Sequence, residues 1–285
     1  MQYGRQRRRP PKDPEGRMPL MDHLRELRSR VVKAALFIAV GVAAGFAVFD
    51  PVWRALQAPY CRLPAEVRDG GQGCELIFTG IFDPFFLRFK VAIVIGLLVA
   101  SPFWLYQLWA FVAPALRGKE KRYTYFFVAA AVPLFLTGSG LAYYITGLAL
   151  QVLFGFATED MVAMITITNY LNYMILMILV FGFAFVTPLL VILLNLLGVV
   201  THAGLAKWRR LIIFAIFVLS AMVTPAEPIS MLALAVPLIV LFEIAELFCL
   251  LHDRRRAAGE DDGLADDELS PLDDAEDAAG DDARR

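Results

Sequence analysis

The residues with the most chemical promise stand just before the first long apolar run. Met21-Asp22-His23-Leu24-Arg25-Glu26-Leu27-Arg28-Ser29-Arg30 sets one carboxylate, Glu26, among three arginines. On a helix, Leu20, Leu24, Leu27 and Val31 fall on one face and Asp22, Glu26 and Arg30 on another. The stretch is therefore an amphipathic lead-in to a buried helix. Taken alone, Glu26 reads as an i,i+4 partner of Arg30, worth roughly 0.2–0.5 kcal/mol on a solvated face. A second acid, Glu120, sits inside the basic run Arg117-Gly118-Lys119-Glu120-Lys121-Arg122. Three more carboxylates border or enter apolar sequence: Glu227 in Thr224-Pro225-Ala226-Glu227-Pro228, and Glu243 and Glu246 toward the end of the last apolar run.

Other chemistries lack their parts. His23, His202 and His252 all lie in or beside polar segments, and no His, Cys and acid spacing suggests a metal site. Gly138-Ser139-Gly140 offers a serine within an apolar run, but no histidine at that depth could activate it. Such Gly/Ser positions serve close helix packing. There is no phosphate-cradling glycine loop. The expectation is a non-enzyme with no cofactor, no metal and no nucleic-acid partner. A secondary transporter for a small solute is the alternative reading, but it calls for ionisable groups near the bilayer midplane. The interiors of the first, third and fourth apolar runs have none.

The elements that must position these acids are membrane helices. Hydrophobic residues make up 58% of the chain and its mean hydropathy is +0.59, which excludes an ordinary soluble domain. The net charge of −1 conceals an asymmetry, because 13 of the 28 acids lie in residues 253–285. Residues 1–17 are expected to form a disordered basic arm near anionic lipid headgroups, and residues 253–285 a disordered acidic tail. Between them, residues 18–252 form the membrane domain, with an external cap over residues 50–85.

Six segments are expected: Val31–Phe49, Phe85–Val112, Tyr125–Leu150, Leu171–Leu197, Leu211–Val223 and Ile229–Leu251. The last two are expected to be short; the 13 residues of Leu211–Val223 give about 20 Å of helix against a hydrocarbon core of about 30 Å. Lys+Arg number ten in residues 1–33, four in 113–122, three in 198–210 and five in 252–285. Five lie in the first intervening stretch and its exit, and none in the other two, so both termini are placed in the cytoplasm. Pro102, Pro133, Pro188 and Pro237 fall within four of the six segments, which predicts bent helices forming a concave wall. Cys61 and Cys74 share the cap. They form a disulfide if the cap faces an oxidising compartment and remain free thiols otherwise.

Three motifs in this order resemble the TatC family, the core receptor subunit of the twin-arginine protein translocase. They are His23 to Arg30; Pro102 with Tyr106-Gln107-Leu108-Trp109-Ala110-Phe111-Val112-Ala113-Pro114-Ala115-Leu116 and then Glu120 and Arg122; and Thr224-Pro225 with Glu227, Pro237 and Phe242-Glu243. The resemblance covers roughly Met21–Leu251. It implies a six-helix, glove-shaped protein of a prokaryotic cytoplasmic membrane that captures folded cargo through a signal peptide bearing two consecutive arginines. It also implies transport driven by the proton-motive force, with TatA/TatB-like single-span subunits in a multimeric complex.

By the same resemblance, Glu26 and Glu120 meet the paired arginines, Phe111 is an aromatic of that site, and Arg28 and Arg30 are its neighbouring cations. Pro59 matches a cap proline, Tyr143 a third-span aromatic, Glu227 an acid of the last external turn, and Glu243 a structural or partner-docking position. Val186 departs from the pattern, because a buried Glu or Gln is usual there. A guanidinium fork suits a carboxylate in a way that lysine cannot reproduce, so two acids facing two arginines make a selective reader.

Overall fold

The computed structural model describes residues 20–63, 77–112, 121–156, 165–196, 198–224 and 228–265. These are helical apart from short connections: α1 (Leu20–Ala47), α2 (Phe49–Cys61), α3 (Asp83–Val99), α4 (Ser101–Val112), α5 (Lys121–Phe154), α6 (Ile167–Leu196), α7 (His202–Val223) and α8 (Pro228–Ala265). Four described stretches, Leu24–Ala47, Tyr125–Phe154, Ile167–Leu196 and Ser230–Arg256, are long and apolar enough to cross a membrane. The bent pair α3 and α4 makes up to a fifth. The chain divides into two compact units, Met1–Arg54 with Phe82–Val132, and Ala55–Ile81 with Pro133–Arg285.

In the first unit α1 packs on α3 through glycine. A methyl group on Gly41 would stand 2.7 Å from the Gly96 carbonyl oxygen, one on Gly45 2.7 Å from that of Ala92, and one on Gly96 2.6 Å from the Val42 nitrogen. The two backbones therefore touch directly, the close approach that small residues permit in membrane helices. The chain then turns by 61° between α3 and α4. Pro102 has no N–H to offer the Leu98 carbonyl, and Trp104 reaches back to donate its indole N–H to the Leu97 carbonyl at 2.9 Å. One of the expected bends is thus a break with its own hydrogen bond, and it directs α4 back onto α1.

The second unit repeats the small-residue solution between α5 and α6. A methyl group on Gly182 would stand 2.6 Å from Ser139 Oγ, and one on Gly138 2.6 Å from the Phe181 carbonyl oxygen. Ser139 donates its hydroxyl to the Ile178 carbonyl at 3.1 Å, so this serine is a packing residue. The C-terminal part of α2 is tied to the same helices by two tyrosines. Tyr143 donates to the Ala55 carbonyl at 2.8 Å, and Tyr170 to that of Leu56 at 2.6 Å.

The end of the chain differs from the sequence expectation of two short last segments. The last one is not short, since its candidate span Ser230–Arg256 has 27 residues. α7 has 22 residues rather than 13 and begins at His202, where the Thr201 hydroxyl accepts the Gly204 N–H at 3.3 Å as an N-cap. The basic run Lys207-Trp208-Arg209-Arg210 therefore belongs to a helix and not to a loop. α8 also continues to Ala265, through the first residues assigned above to the acidic tail.

The glycine contact makes a stability prediction. Gly96→Ala should destabilise the purified protein by about 1–3 kcal/mol through overpacking. Gly140→Ala, whose new methyl group meets nothing within 4 Å, should be neutral or stabilising by up to about 1 kcal/mol, the helix preference of Ala over Gly. Thermal unfolding of both variants in detergent checks this, and equal shifts would contradict the close α1–α3 contact.

Candidate functional site

Glu26, Ser29, Arg30 and Lys33 recur on α1 at i, i+3, i+4 and i+7 and so occupy one face. α4 lies against α1 and adds Tyr106 and Gln107; with Arg25 these residues line a cavity of about 530 Å³. Aromatic contacts hold α4 in place. Trp109 stacks on Phe127 with ring centroids 5.3 Å apart, and Tyr106 lies against Tyr125 at 5.9 Å.

Within the cavity Glu26 Oε1 accepts two donors from one guanidinium, Arg30 Nε at 3.1 Å and Arg30 Nη2 at 2.5 Å. The side chains of Arg30 and Glu26 remain 23% and 25% exposed, so water still competes for both partners and the pair contributes little net stability. Chemically this is a carboxylate that binds guanidinium and can exchange it.

None of the other expected site residues that are described lines this cavity. Arg28 is exposed and does not line the cavity. Phe111 is half-buried on α4, one turn beyond Gln107. Glu120, Glu227 and Cys74 lie outside the described residues. Pro59 is buried in α2, and Tyr143 makes the bond to Ala55 described above. Cys61 is disulfide-bonded, whereas Cys249 is buried and free.

Glu243 belongs to a second polar cluster, in the second unit, which sequence reasoning did not assemble. Arg209 Nη2 donates to Glu243 Oε2 at 2.6 Å, and Arg209 Nε stands 3.7 Å from Glu246 Oε2. His202 Nε2 is 3.7 Å from Glu246 Oε1. Asp253 accepts the backbone N–H of His202 at 2.7 Å and the Asn195 amide at 3.0 Å, so it caps α7 from α8 and ties α6 to both. The available signals were a lone amide at the end of an apolar helix and acids at i and i+3 on α8. Asp253→Ala should cost about 1–3 kcal/mol by leaving these donors unpaired, while Arg210→Ala on exposed α7 surface should stay within about 0.5 kcal/mol. Unfolding in detergent measures both, and a neutral Asp253→Ala would show that the cap is dispensable.

The fold and the charged cavity define an α-helical, multi-pass membrane protein. Residues 22–237 match the family model "Sec-independent protein translocase protein (TatC)". The TatC protein of Frankia casuarinae is 43% identical over 270 residues, covering 91% of this chain and 74% of that protein. The TatC protein of Aquifex aeolicus is 32% identical over 242 residues, covering 84% and 98% respectively. A crystal structure of a twin arginine translocase receptor, TatC, in DDM is similar with a TM-score of 0.69 and 30% identity, covering 80% of this chain and 99% of that one. The chain belongs to the TatC family of Sec-independent protein translocase proteins, and is thus a membrane component of protein transport.

Proposed function

We propose that this protein is the receptor for twin-arginine signal peptides and the core around which the export machinery for folded proteins assembles. Glu26 and Glu120 accept the two consecutive arginines of the cargo peptide, with Phe111 beside them and Arg28 and Arg30 as flanking cations that discourage loosely basic peptides. In this reading six segments form a concave wall in a prokaryotic cytoplasmic membrane, with both termini in the cytoplasm. TatA/TatB-like single-span subunits dock on it, and the proton-motive force drives transport. Pro59, Tyr143, Glu227 and Glu243 are structural or docking positions.

The observation that carries this reading is the arginine fork already seated on Glu26. Arg30 occupies the acid as an internal guanidinium, in a cavity with room for other side chains. An intrahelical pair of this kind contributes roughly 0.2–0.5 kcal/mol, so an incoming arginine displaces it at little cost. Lysine offers a point charge without the fork and gains less.

Glu26→Ala and Glu120→Ala are each expected to reduce crosslinking of a twin-arginine precursor by about tenfold or more, equivalent to about 1.4 kcal/mol of binding. The variants should still insert in the membrane, and a Lys-Lys precursor should crosslink weakly to the wild type. Normal crosslinking in both variants would rule the reading out.

A further inference from the structure

Glu26 meets only part of what an arginine side chain must satisfy. A guanidinium carries five N–H donors and no acceptor. Arg30 shows how the acid uses them: its Nε and Nη2 both donate to Glu26 Oε1, which leaves the Nη1 hydrogens and the second Nη2 hydrogen off the carboxylate. A cargo arginine seated on Glu26 in the same way has that second edge turned elsewhere, and each N–H stripped of water there needs an acceptor.

The lining of the cavity narrows the choice of acceptor. Arg25, Arg30 and Lys33 offer donors only. Ser29 stands on the same helix as Glu26, and the Tyr106 oxygen is conjugated with its ring and accepts weakly. Gln107 differs from both. It is half-buried, it lines the cavity from α4 while Glu26 lines it from α1, and its amide carbonyl is the strongest neutral acceptor there. Among the described residues the Gln107 side chain has no hydrogen-bond partner.

We infer that Gln107 sets the preference for arginine over lysine at Glu26: its amide oxygen accepts an N–H from the guanidinium edge that the carboxylate leaves free, so that one cargo arginine bridges α1 and α4. Lysine cannot make that bridge. Its donors radiate from a single nitrogen, and an ammonium drawn to Glu26 has no second edge to present to Gln107. This role rests on the receptor reading and adds to it the residue by which the site tells two cations apart. One charge-assisted hydrogen bond of this kind corresponds to about tenfold in binding.

The test is a crosslinking titration of a twin-arginine precursor and its Lys-Lys counterpart on native membranes containing the full-length protein. Half-saturating concentrations are compared for the wild type, Gln107→Leu and Gln107→Glu. Gln107→Leu should weaken binding of the twin-arginine precursor about tenfold and leave the Lys-Lys precursor within about twofold. Gln107→Glu keeps an acceptor and should keep the preference for arginine. An undiminished preference in Gln107→Leu overturns the inference, and so does equal weakening of both precursors, which marks a purely structural role. If Gln107→Leu does not insert, loss of the preference in Gln107→Glu overturns it instead. Failure of the receptor reading is seen elsewhere, as equal binding of the two precursors by the wild type or normal binding in Glu26→Ala.

Discussion

The direct backbone contact between α1 and α3 is the constraint on which the charged cavity depends. In a bilayer, apolar side chains gain nothing by leaving lipid for one another, so helices associate where their backbones can approach closely. Gly41, Gly45 and Gly96 provide that approach, with no room for a Cβ at any of the three. Once α3 is fixed along α1, the break ahead of Pro102 decides where the chain goes next. The Trp104 indole compensates the Leu97 carbonyl, and α4 returns along the first turns of α1. Tyr106 and Gln107 face Glu26 because of a contact about four to five helical turns away along α1.

The two acidic clusters illustrate opposite uses of a salt bridge. Glu26 and Arg30 are both about a quarter exposed, so each can exchange its partner for water or another ion without a large desolvation penalty. Glu246 has a side chain only 9% exposed, and Arg209 and His202 lie beside it from α7. Removing a partner there leaves a buried carboxylate poorly compensated, which is far more costly than losing an exposed pair. The first cluster suits ligand exchange and the second holds helix ends together.

Much of this was legible in the sequence, for identifiable reasons. Apolar length gave the long helices, and proline marked the α3–α4 break. The i,i+4 spacing gave the Glu26–Arg30 pair, and Gly138-Ser139-Gly140 gave close packing. The start of α7 was not legible, because Lys207 to Arg210 reads as a basic loop when judged by charge. Its helix is supported by Thr201 at the N-cap and by acids on α8 that lie 34 or more residues away in sequence. Asp253 was hidden for a related reason. It begins a run of acids by composition, yet its hydrogen bonds are to α6 and α7. The lining roles of Lys33 and Gln107 depend on the α3–α4 turn, whose direction a proline does not specify.

Val186, where the resemblance to the family implied a buried Glu or Gln, packs as one of the buried apolar residues of α6. It is 8% exposed, and the buried side chains of α6 from Leu171 to Leu193 are apolar throughout. The buried Ser139 hydroxyl on α5 donates to the Ile178 carbonyl, so it demands no further polar group from α6. A carboxylate at residue 186 would need a partner that this bond does not offer, and valine removes that requirement. A helix meeting α6 at this level would therefore gain from shape and van der Waals contact rather than from a shared proton or hydrogen bond. The charged side chains Arg209, Glu243 and Glu246 of the second unit stand together toward the helix ends instead.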